Sequence, residues 1–489
     1  MPLPAPDMPI SDPLLTMEQL AAIDAAGREI LERTGLRISD PMVRRRLADS
    51  GATVDSTGET VRMPHDWLKT RLADAPRQIT LCGRDPDKDL VLGGGRVHFG
   101  NGGRVFQILE TATRRMRPTV LADIARAACL VDQLPHLQFF IIPCQAHDLP
   151  AAHYHLNDFF QAFNNTAKHV MGGCDTVSGA RQMHALAAAI AGDAEKLRQR
   201  PFVSVITNPI SPLTLDAGTL AIIDFCAGRG VPLTCAPAPM AGATAPVTLA
   251  GTLVQLHAEA LGAVAVIQAL HPGAPVLYGA VPSTMDLRRM NLAIGSVETA
   301  MLNGAAVALA HRHQLPIYAS AGLTDAKVPD AQAGGEKMLS YLLVARAGAD
   351  YIHLAAGMLD SGNAIAFEQF LIDHEMIGMI QRLRQGIDVT PATLAVEEIV
   401  ATGPGGNYVL ADHTVNHMMT QHFYPQHSVR MPYDLWTREG EPTLVSRSRD
   451  QVRTMLANRR DRLDAVCRNQ IDKQFPEIRH IEIEENQRT

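Results

Sequence analysis

Alternation is the feature that most constrains this chain. Eight short β-branched or aromatic runs are separated by longer helical patterns: RVHFG (96–100), LQFFIIPC (137–144), KHVMGGC (168–174), FVSVIT (202–207), PLTCAP (232–237), PVLYG (275–279), PIYAS (316–320) and DYIHLA (350–355). The intervening helices are expected to start near Thr119, His153, Val177, Leu213, Pro246, Asn291, Ala331 and Gly362. Strands that alternate with helices pair in parallel, and eight such units close into an α/β (β/α)8 TIM barrel. The runs are continuously apolar, as strands covered on both faces must be. The first unit is the weakest, because GNGGRVFQI suggests a strand running into a hairpin before the helix at 119. An open doubly wound sheet is the alternative fold.

The flanks differ in character. Residues 1–13 are proline-rich and read as a loose arm. Thr16 is a plausible N-cap for the helix MEQLAAIDAAGREILERTG, which Gly35 ends. The segment PMVRRRLADSG, a hairpin around Asp55–Gly58 and the helix PHDWLKTRLADAP complete an N-terminal α+β extension, residues 1–95, with its own small core. The barrel is assigned to 96–385 and a C-terminal helical extension to 386–489. In that extension PATLAVEEIVATGPG reads as one helix, and residues 441–468 as a long amphipathic helix suited to an oligomer contact. A homo-oligomer is expected.

Lys+Arg of 44 against Asp+Glu of 51 gives 44 − 51 = −7, and the basic residues are scattered, so nucleic acid is not an expected partner. The Arg44–Arg46 run reads as a solvated helix face. Seven cysteines without a CxxC pair suit a reducing cytosol. No N-terminal signal pattern is evident, and the apolar stretches read as too short and mixed to span a membrane, so a cytoplasmic protein is expected.

In a barrel of this kind the chemistry gathers just after the strands. The residues there are Asn101, Gln145, His147, Gly172, Gly173, Asn208, Met240, Tyr278, Thr324, Asp325, His353 and Met358. They include no lysine for a Schiff base and no paired carboxylates for glycoside chemistry. Histidine pairs occur at 153/155, 311/313 and 413/417, but no glutamate follows His413 as a metalloprotease motif needs. Cys174 and Cys235 could serve as thiolate ligands, although buried structural cysteine is the commoner case. No metal is expected. The glycine clusters at 93–95 and 402–407 lack phosphate-loop spacing.

Four stretches carry more: NGGRVFQILE (101–110), AGLTDAKVPDAQAGGEK (321–337), AAGMLDSGNAIAFEQFLIDHEM (355–376) and ATGPGGNYVLADHTVNHM (401–418). On these motifs the chain, from about residue 20 to 440, resembles the trimethylamine methyltransferase family, in its branch without pyrrolysine. The resemblance implies a barrel that methylates the cobalt of a cobalamin (corrinoid) cofactor carried by a separate corrinoid protein. It also implies a small quaternary amine such as glycine betaine as methyl donor. The founding members carry pyrrolysine, whereas this chain has standard residues only, which turns the expectation from trimethylamine towards a betaine.

A quaternary ammonium cannot donate a hydrogen bond and is held by aromatic faces, each contributing roughly 0.5–2 kcal/mol. Its departing nitrogen leaves as a neutral amine, so no general acid is required. Aromatic residues make up 5% of the chain, so those near strand ends stand out: Phe99, Tyr154, Tyr278, Tyr318, Tyr351 and Phe367. Tyr278 and Phe367, each beside a glycine-rich turn, are the preferred cage members, with Phe99 also a substrate-binding candidate. His147 and His353 are candidates for a betaine carboxylate, Asp325 for the cation, and Gln332 and Glu336 for orienting Asp325 or the methyl acceptor, with Gln332 counted among the substrate-binding residues. Asp325, His353 and Glu336 form the expected catalytic group. Gly172, Gly173, Gly334, Gly335 and Gly357 would let a flat corrinoid approach. Zinc-dependent methyl transfer to a thiol and a non-catalytic betaine-binding barrel are the competing readings.

Overall fold

Eight strands pair in parallel in the computed structural model, which describes residues 14–55 and 58–481. They are β1 (His98–Phe99), β2 (Phe139–Ile141), β3 (His169–Gly173), β4 (Val203–Thr207), β5 (Leu233–Cys235), β6 (Val276–Ala280), β7 (Ile317–Ser320) and β8 (Tyr351–His353). Each apolar run of the sequence supplies one strand. The order is β1-β8-β7-β6-β5-β4-β3-β2. A parallel bridge between Gly100 and Phe139 joins β1 to β2, so the sheet closes and the open doubly wound alternative is excluded. The helices α1 (Leu121–Gln133), α2 (Tyr154–Asn165), α3 (Val177–Ala191), α4 (Ala217–Ala227), α5 (Leu249–Leu270), α6 (Val297–Arg312), α7 (Ala331–Arg346) and α8 (Phe367–Gln385) follow the strands in turn. The helices expected at Asn291 and Gly362 begin later, because Asn291–Leu292 and Ala364–Ile365 form short strands at the mouth.

The β1–β2 seam is made largely by side chains. Asn101 copies a strand partner: its Nδ2 donates to the Ile141 carbonyl (2.6 Å) and its Oδ1 accepts from the Ile141 N–H (3.0 Å). The Phe99 N–H donates to Gln138 Oε1 at 2.7 Å. Gly100 is required here, since a Cβ would lie 2.1 Å from the Phe139 ring. The predicted hairpin follows, as Gln107–Glu110 paired with Arg115–Pro118.

Period-two alternation sorts the strand residues. Phe139, Ile141, Met171, Ala236, Leu277, Tyr318 and Tyr351 point inward into one cluster, which the hairpin Ile79–Leu81/Leu90–Leu92 closes from below. Phe99, Phe140, Val170, Val205, Cys235, Tyr278 and Ile352 point outward into a second cluster under the helices.

The N-terminal region does not keep a core of its own. Leu20, Leu31, Leu36, Val61 and Trp67 belong to the same continuous cluster as the barrel's outer layer. The helix Met17–Arg33, capped by Thr16 as expected, lies on α5, where Gly27 and Gly262 permit the close approach. Asp24 anchors it: its carboxylate accepts from His257 (3.1 Å), His313 (2.8 Å), Arg312 (3.0 Å) and Arg28 (3.1 Å). Burial alone would raise this carboxyl, but the two imidazoles and Arg312 hold it well below the usual range. Asp24, His257 and His313 are also the one cluster among the described residues with metal-ligand spacing. Two guanidiniums on the same carboxylate already fill the place of a cation. Residues 1–13 and the tip of the Asp55–Gly58 hairpin lie outside the described residues.

Three further expectations are corrected. The helix expected over 441–468 is two helices, Leu444–Ala457 and Ala465–Gln474, broken where Arg459 bonds Asn165 and Asp464 caps the second. Its apolar face is already covered, since Val452 and Met455 are buried where the first of these helices packs on α8 and α1. PATLAVEEIVATGPG likewise divides into Pro391–Leu394 and Val396–Thr402, at Ala395 with φ +50°. By length and composition α5 is apolar enough to cross a membrane, contrary to the sequence reading. Its apolar window is 83% buried inside the fold, which explains the composition.

Beneath the mouth sits a fully buried ion pair, Lys337–Asp373 (2.9 Å). Lys337 also donates to the Gly322 carbonyl (2.7 Å), and Asp373 accepts from the Gly357 N–H (2.8 Å) and Gln369 (2.9 Å). The pair thereby clamps the loops after β7 and β8.

Two predictions follow from these contacts. Lys337→Met strands a buried carboxylate and should cost about 3–5 kcal/mol of stability, while Lys337→Met/Asp373→Leu should recover much of that loss. Chemical denaturation of the two variants measures the difference. Asn101→Ala leaves a buried N–H and carbonyl unpaired and should cost on the order of 1–3 kcal/mol. Amide exchange should then quicken along β1 and β2 before the other strands.

Candidate functional site

At the C-terminal ends of the strands the barrel opens into a cavity of roughly 490 Å3. Its floor is the top of the inward aromatic column. The Tyr318 ring stacks on His353 with centroids 3.8 Å apart, Tyr351 lies below Tyr318 at 5.5 Å, and Phe139 stacks on Tyr351 at 3.6 Å. His353 Nε2 is 2.7 Å from Ser320 Oγ, and burial drives its pKa well below the ordinary value, so the imidazole is neutral. Phe159 of α2 forms one wall. It fits because Gly172 has no side chain, as a Cβ there would lie 2.6 Å from its ring.

The cavity is acidic. Asp158, Asp175 and Asp216 line it against a single guanidinium, Arg104. Arg104 forks onto Asp175 (Nη2–Oδ2 2.8 Å), and this bonding holds Asp175 below the usual carboxylate range. Asp216 is committed to capping α4, accepting from the Gly218 and Thr219 N–H groups. His155 Nε2 accepts from the Asp175 N–H at 3.2 Å, and burial lowers its pKa, so it too is neutral. Asp158 differs from the other two. It is 4% exposed, its Oδ1 has no hydrogen-bond partner, and burial pushes its pKa up to about 8. A buried carboxyl without a partner, facing a cavity, is a place prepared for a cation or a donor.

The sequence-predicted residues divide between this cavity and other places. His353 and Gly173 line it, as does Asn208 from the strand-end group. Tyr278 does not: it is fully buried on the outward side of β6, with its hydroxyl 2.9 Å from His257 Nδ1. Phe99, also outward, packs edge-on against Tyr341. Phe367 packs against the outer core at the start of α8. His147 is exposed on the loop after β2, beside Thr119 and Phe106.

Asp325, Glu336 and Gln332 meet each other, but outside the cavity lining. Glu336 accepts from the Asp325 N–H (2.8 Å), Gln332 (2.9 Å) and Thr324. Asp325 in turn accepts from the Ile294 and Gly295 N–H groups and from Ser361 (2.8 Å), so the motif ties together the loops after β6, β7 and β8. Gly334 and Gly335 border open space on α7. Gly357 has φ +90° and would drive a Cβ into Phe370, so its glycine serves the local turn.

Asp158, Phe159, Arg104 and Asp175 were missed by sequence reasoning. A signal for Asp158 and Phe159 is present in HYHLNDFFQAF, where they stand three and four residues after His155 and share one helical face with it. The thiols do not support a zinc site. Burial raises the Cys174 thiol and pushes Cys235 up to about 12, and Cys235 points away from the cavity. Thiolate, the form that ligates, is disfavoured at both.

Known proteins agree with this architecture. Residues 3–482 match the trimethylamine methyltransferase (MTTB) family. A trimethylamine methyltransferase from Desulfitobacterium hafniense is 36% identical over 443 residues, 90% of this chain and 88% of that protein. A glycine betaine methyltransferase from the same species is 29% identical over 447 residues, 91% of this chain and 92% of that protein. In three dimensions the monomethylamine methyltransferase of Methanosarcina barkeri superposes with a TM-score of 0.50 at 11% identity, covering 89% of this chain and 93% of that one. With a family match along almost its whole length and a (β/α)8 barrel beneath it, the chain belongs to the trimethylamine methyltransferase family and is a methyltransferase.

Proposed function

We propose that this methyltransferase takes a methyl group from a small quaternary amine of the glycine betaine kind and passes it to the cobalt of a corrinoid carried by a separate protein. The observation that carries the substrate class is the unpartnered Asp158 carboxyl in a cavity floored by Tyr318 and His353. A quaternary ammonium fits both features. It needs no hydrogen-bond acceptor, it gains from an aromatic face, and its charge turns the buried carboxyl into a paired carboxylate. A glycine betaine relative of similar length supports the same reading.

The chain's own groups then divide the work. Tyr318, His353 and Phe159 exclude water and shape the space around the methyl groups. Asp158 neutralises the ammonium in the ground state. Arg104, paired with Asp175 at the rim, is the cavity's one cation and would receive the betaine carboxylate. Neither His353 nor His155 has to supply a proton, because the demethylated amine leaves neutral. A bound reduced corrinoid supplies the nucleophile that accepts the methyl group.

The mouth fits such an acceptor. Phe106, Met116, Ile210, Val247, Leu287 and Met290 are exposed on the loops around it, an apolar collar on the face a flat macrocycle and its carrier must reach. Asp325 and Glu336 hold the loops after β6, β7 and β8 in register, as positioning residues.

The direct test combines purified protein, reduced corrinoid protein or free reduced cobalamin, and a series of quaternary amines. Methylcobalamin should form with glycine betaine or a close analogue, and its absence with every quaternary amine would refute the reading. Asp158→Asn should lower kcat/KM roughly 10- to 100-fold, the worth of one charged contact. Arg104→Gln should raise KM for carboxylate-bearing amines and leave tetramethylammonium little changed.

The pH dependence has a definite sign. The Asp158 carboxyl, raised to about 8, is protonated and uncharged below that pH. Affinity for the cation should therefore rise about tenfold per pH unit up to about pH 8 and then level off. Calorimetry in buffers of different ionisation enthalpy should detect a proton released on binding at pH 7. Asp158→Asn should abolish both effects.

A further inference from the structure

Residues 387–435 hold most of the exposed apolar surface among the described residues. Of 28 exposed large apolar side chains among the described residues, 16 lie in this stretch. Leu410 is 90% exposed, Ile387 88%, Val409 74% and Tyr433 73%. The stretch forms four helices, Pro391–Leu394, Val396–Thr402, Asp412–Gln421 and Tyr433–Arg438, and none of them buries a residue. Helices this short do not hold in water without a surface to pack on. Only six of the 49 residues carry a charge, against 19% for the whole chain, so little desolvation would oppose covering it.

The rest of the chain grips this segment at residues 421–428. Arg382 donates to the Gln421 carbonyl (2.9 Å), and Glu375 accepts from the Gln426 and His427 N–H groups (2.6 Å each). The root leaves α8 at Gln385, beside the strand starts, where Arg384 reaches the Gly95 carbonyl. That is the end of the barrel opposite the mouth.

We propose that residues 387–435 are an arm that packs on a second copy of this chain. Two arguments select that occupant. The arm springs from the closed end of the barrel, whereas a corrinoid carrier must present its cofactor at the mouth; this argument rests on the function proposed above. Independently of function, permanent interfaces between copies of a chain are hydrophobic like a core cut in half, and this stretch is as apolar and as poor in charge as such an interface. At roughly 100 Å2 for each exposed side chain the arm offers on the order of 1,500 Å2, beyond the ~800 Å2 per partner of a standard interface. The sequence reading placed the oligomer contact at 441–468, but that helix already spends its apolar face on α1 and α8.

The test uses the full-length protein and needs neither substrate nor corrinoid, so it can fail independently of the proposed reaction. Light scattering or sedimentation at micromolar concentration should give at least twice the 52.9 kDa chain mass. Ile387→Glu/Leu410→Glu should reduce that to one chain, with far-UV circular dichroism of the barrel retained. Hydrogen exchange over 396–419 should be slow in the wild type and fast in the variant, which separates loss of the interface from loss of the fold. A wild type that is monomeric overturns the proposal, as does a variant that keeps the wild-type mass. A monomer whose arm gains protection only when a corrinoid protein is added would assign the surface to that carrier and overturn it too.

Discussion

The barrel exists because its last seam closes, and that seam hangs on the Asn101 amide. β1 has two residues, too few for a normal ladder with β2, so one side chain stands in for a stretch of backbone. Gly100 concedes its side chain to let the Phe139 ring sit across the join. Everything at the mouth inherits its position from this closure. Asn101 opens the loop that carries Arg104, and Phe139 begins the aromatic column that ends at Tyr318 and His353. On the far side, the buried Lys337–Asp373 pair performs the matching task for the loops after β7 and β8.

Charge in the cavity is arranged by subtraction. Asp175 is spent on Arg104 and Asp216 on a helix cap, which leaves one carboxyl, Asp158, without an internal partner. Burying a carboxyl costs stability unless something compensates, so the fold tolerates here a weakness that a cationic ligand would relieve. The ammonium donor proposed above would need little else from the side chains, in keeping with strand ends that mostly lack acid–base machinery.

The architecture was largely legible in the sequence and the site was not, for one physical reason. Strand existence depends on composition over several residues, and all eight apolar runs became strands. Site membership depends on the parity of a single residue. Tyr278 and Tyr318 look alike in PVLYG and PIYAS, yet in β6 the tyrosine points outward to His257 while in β7 it points inward to His353. Asp158 escaped notice because it stands on a helix rather than at a strand end. The division of residues 441–468 turns on Arg459 finding Asn165, a partner 294 residues away that no local pattern reveals.

The filled axis of the barrel has a consequence for traffic. Phe139, Tyr351 and Tyr318 occupy the centre, and the hairpin Ile79–Leu81/Leu90–Leu92 stoppers the lower end, so the described residues fill the barrel beneath the cavity. Whatever enters between Arg104 and Asp158 must leave by the same way. For the donor and acceptor proposed above, a shared doorway would impose an order: the small molecule enters first, the large one covers it, and the spent amine waits until the large one lifts away.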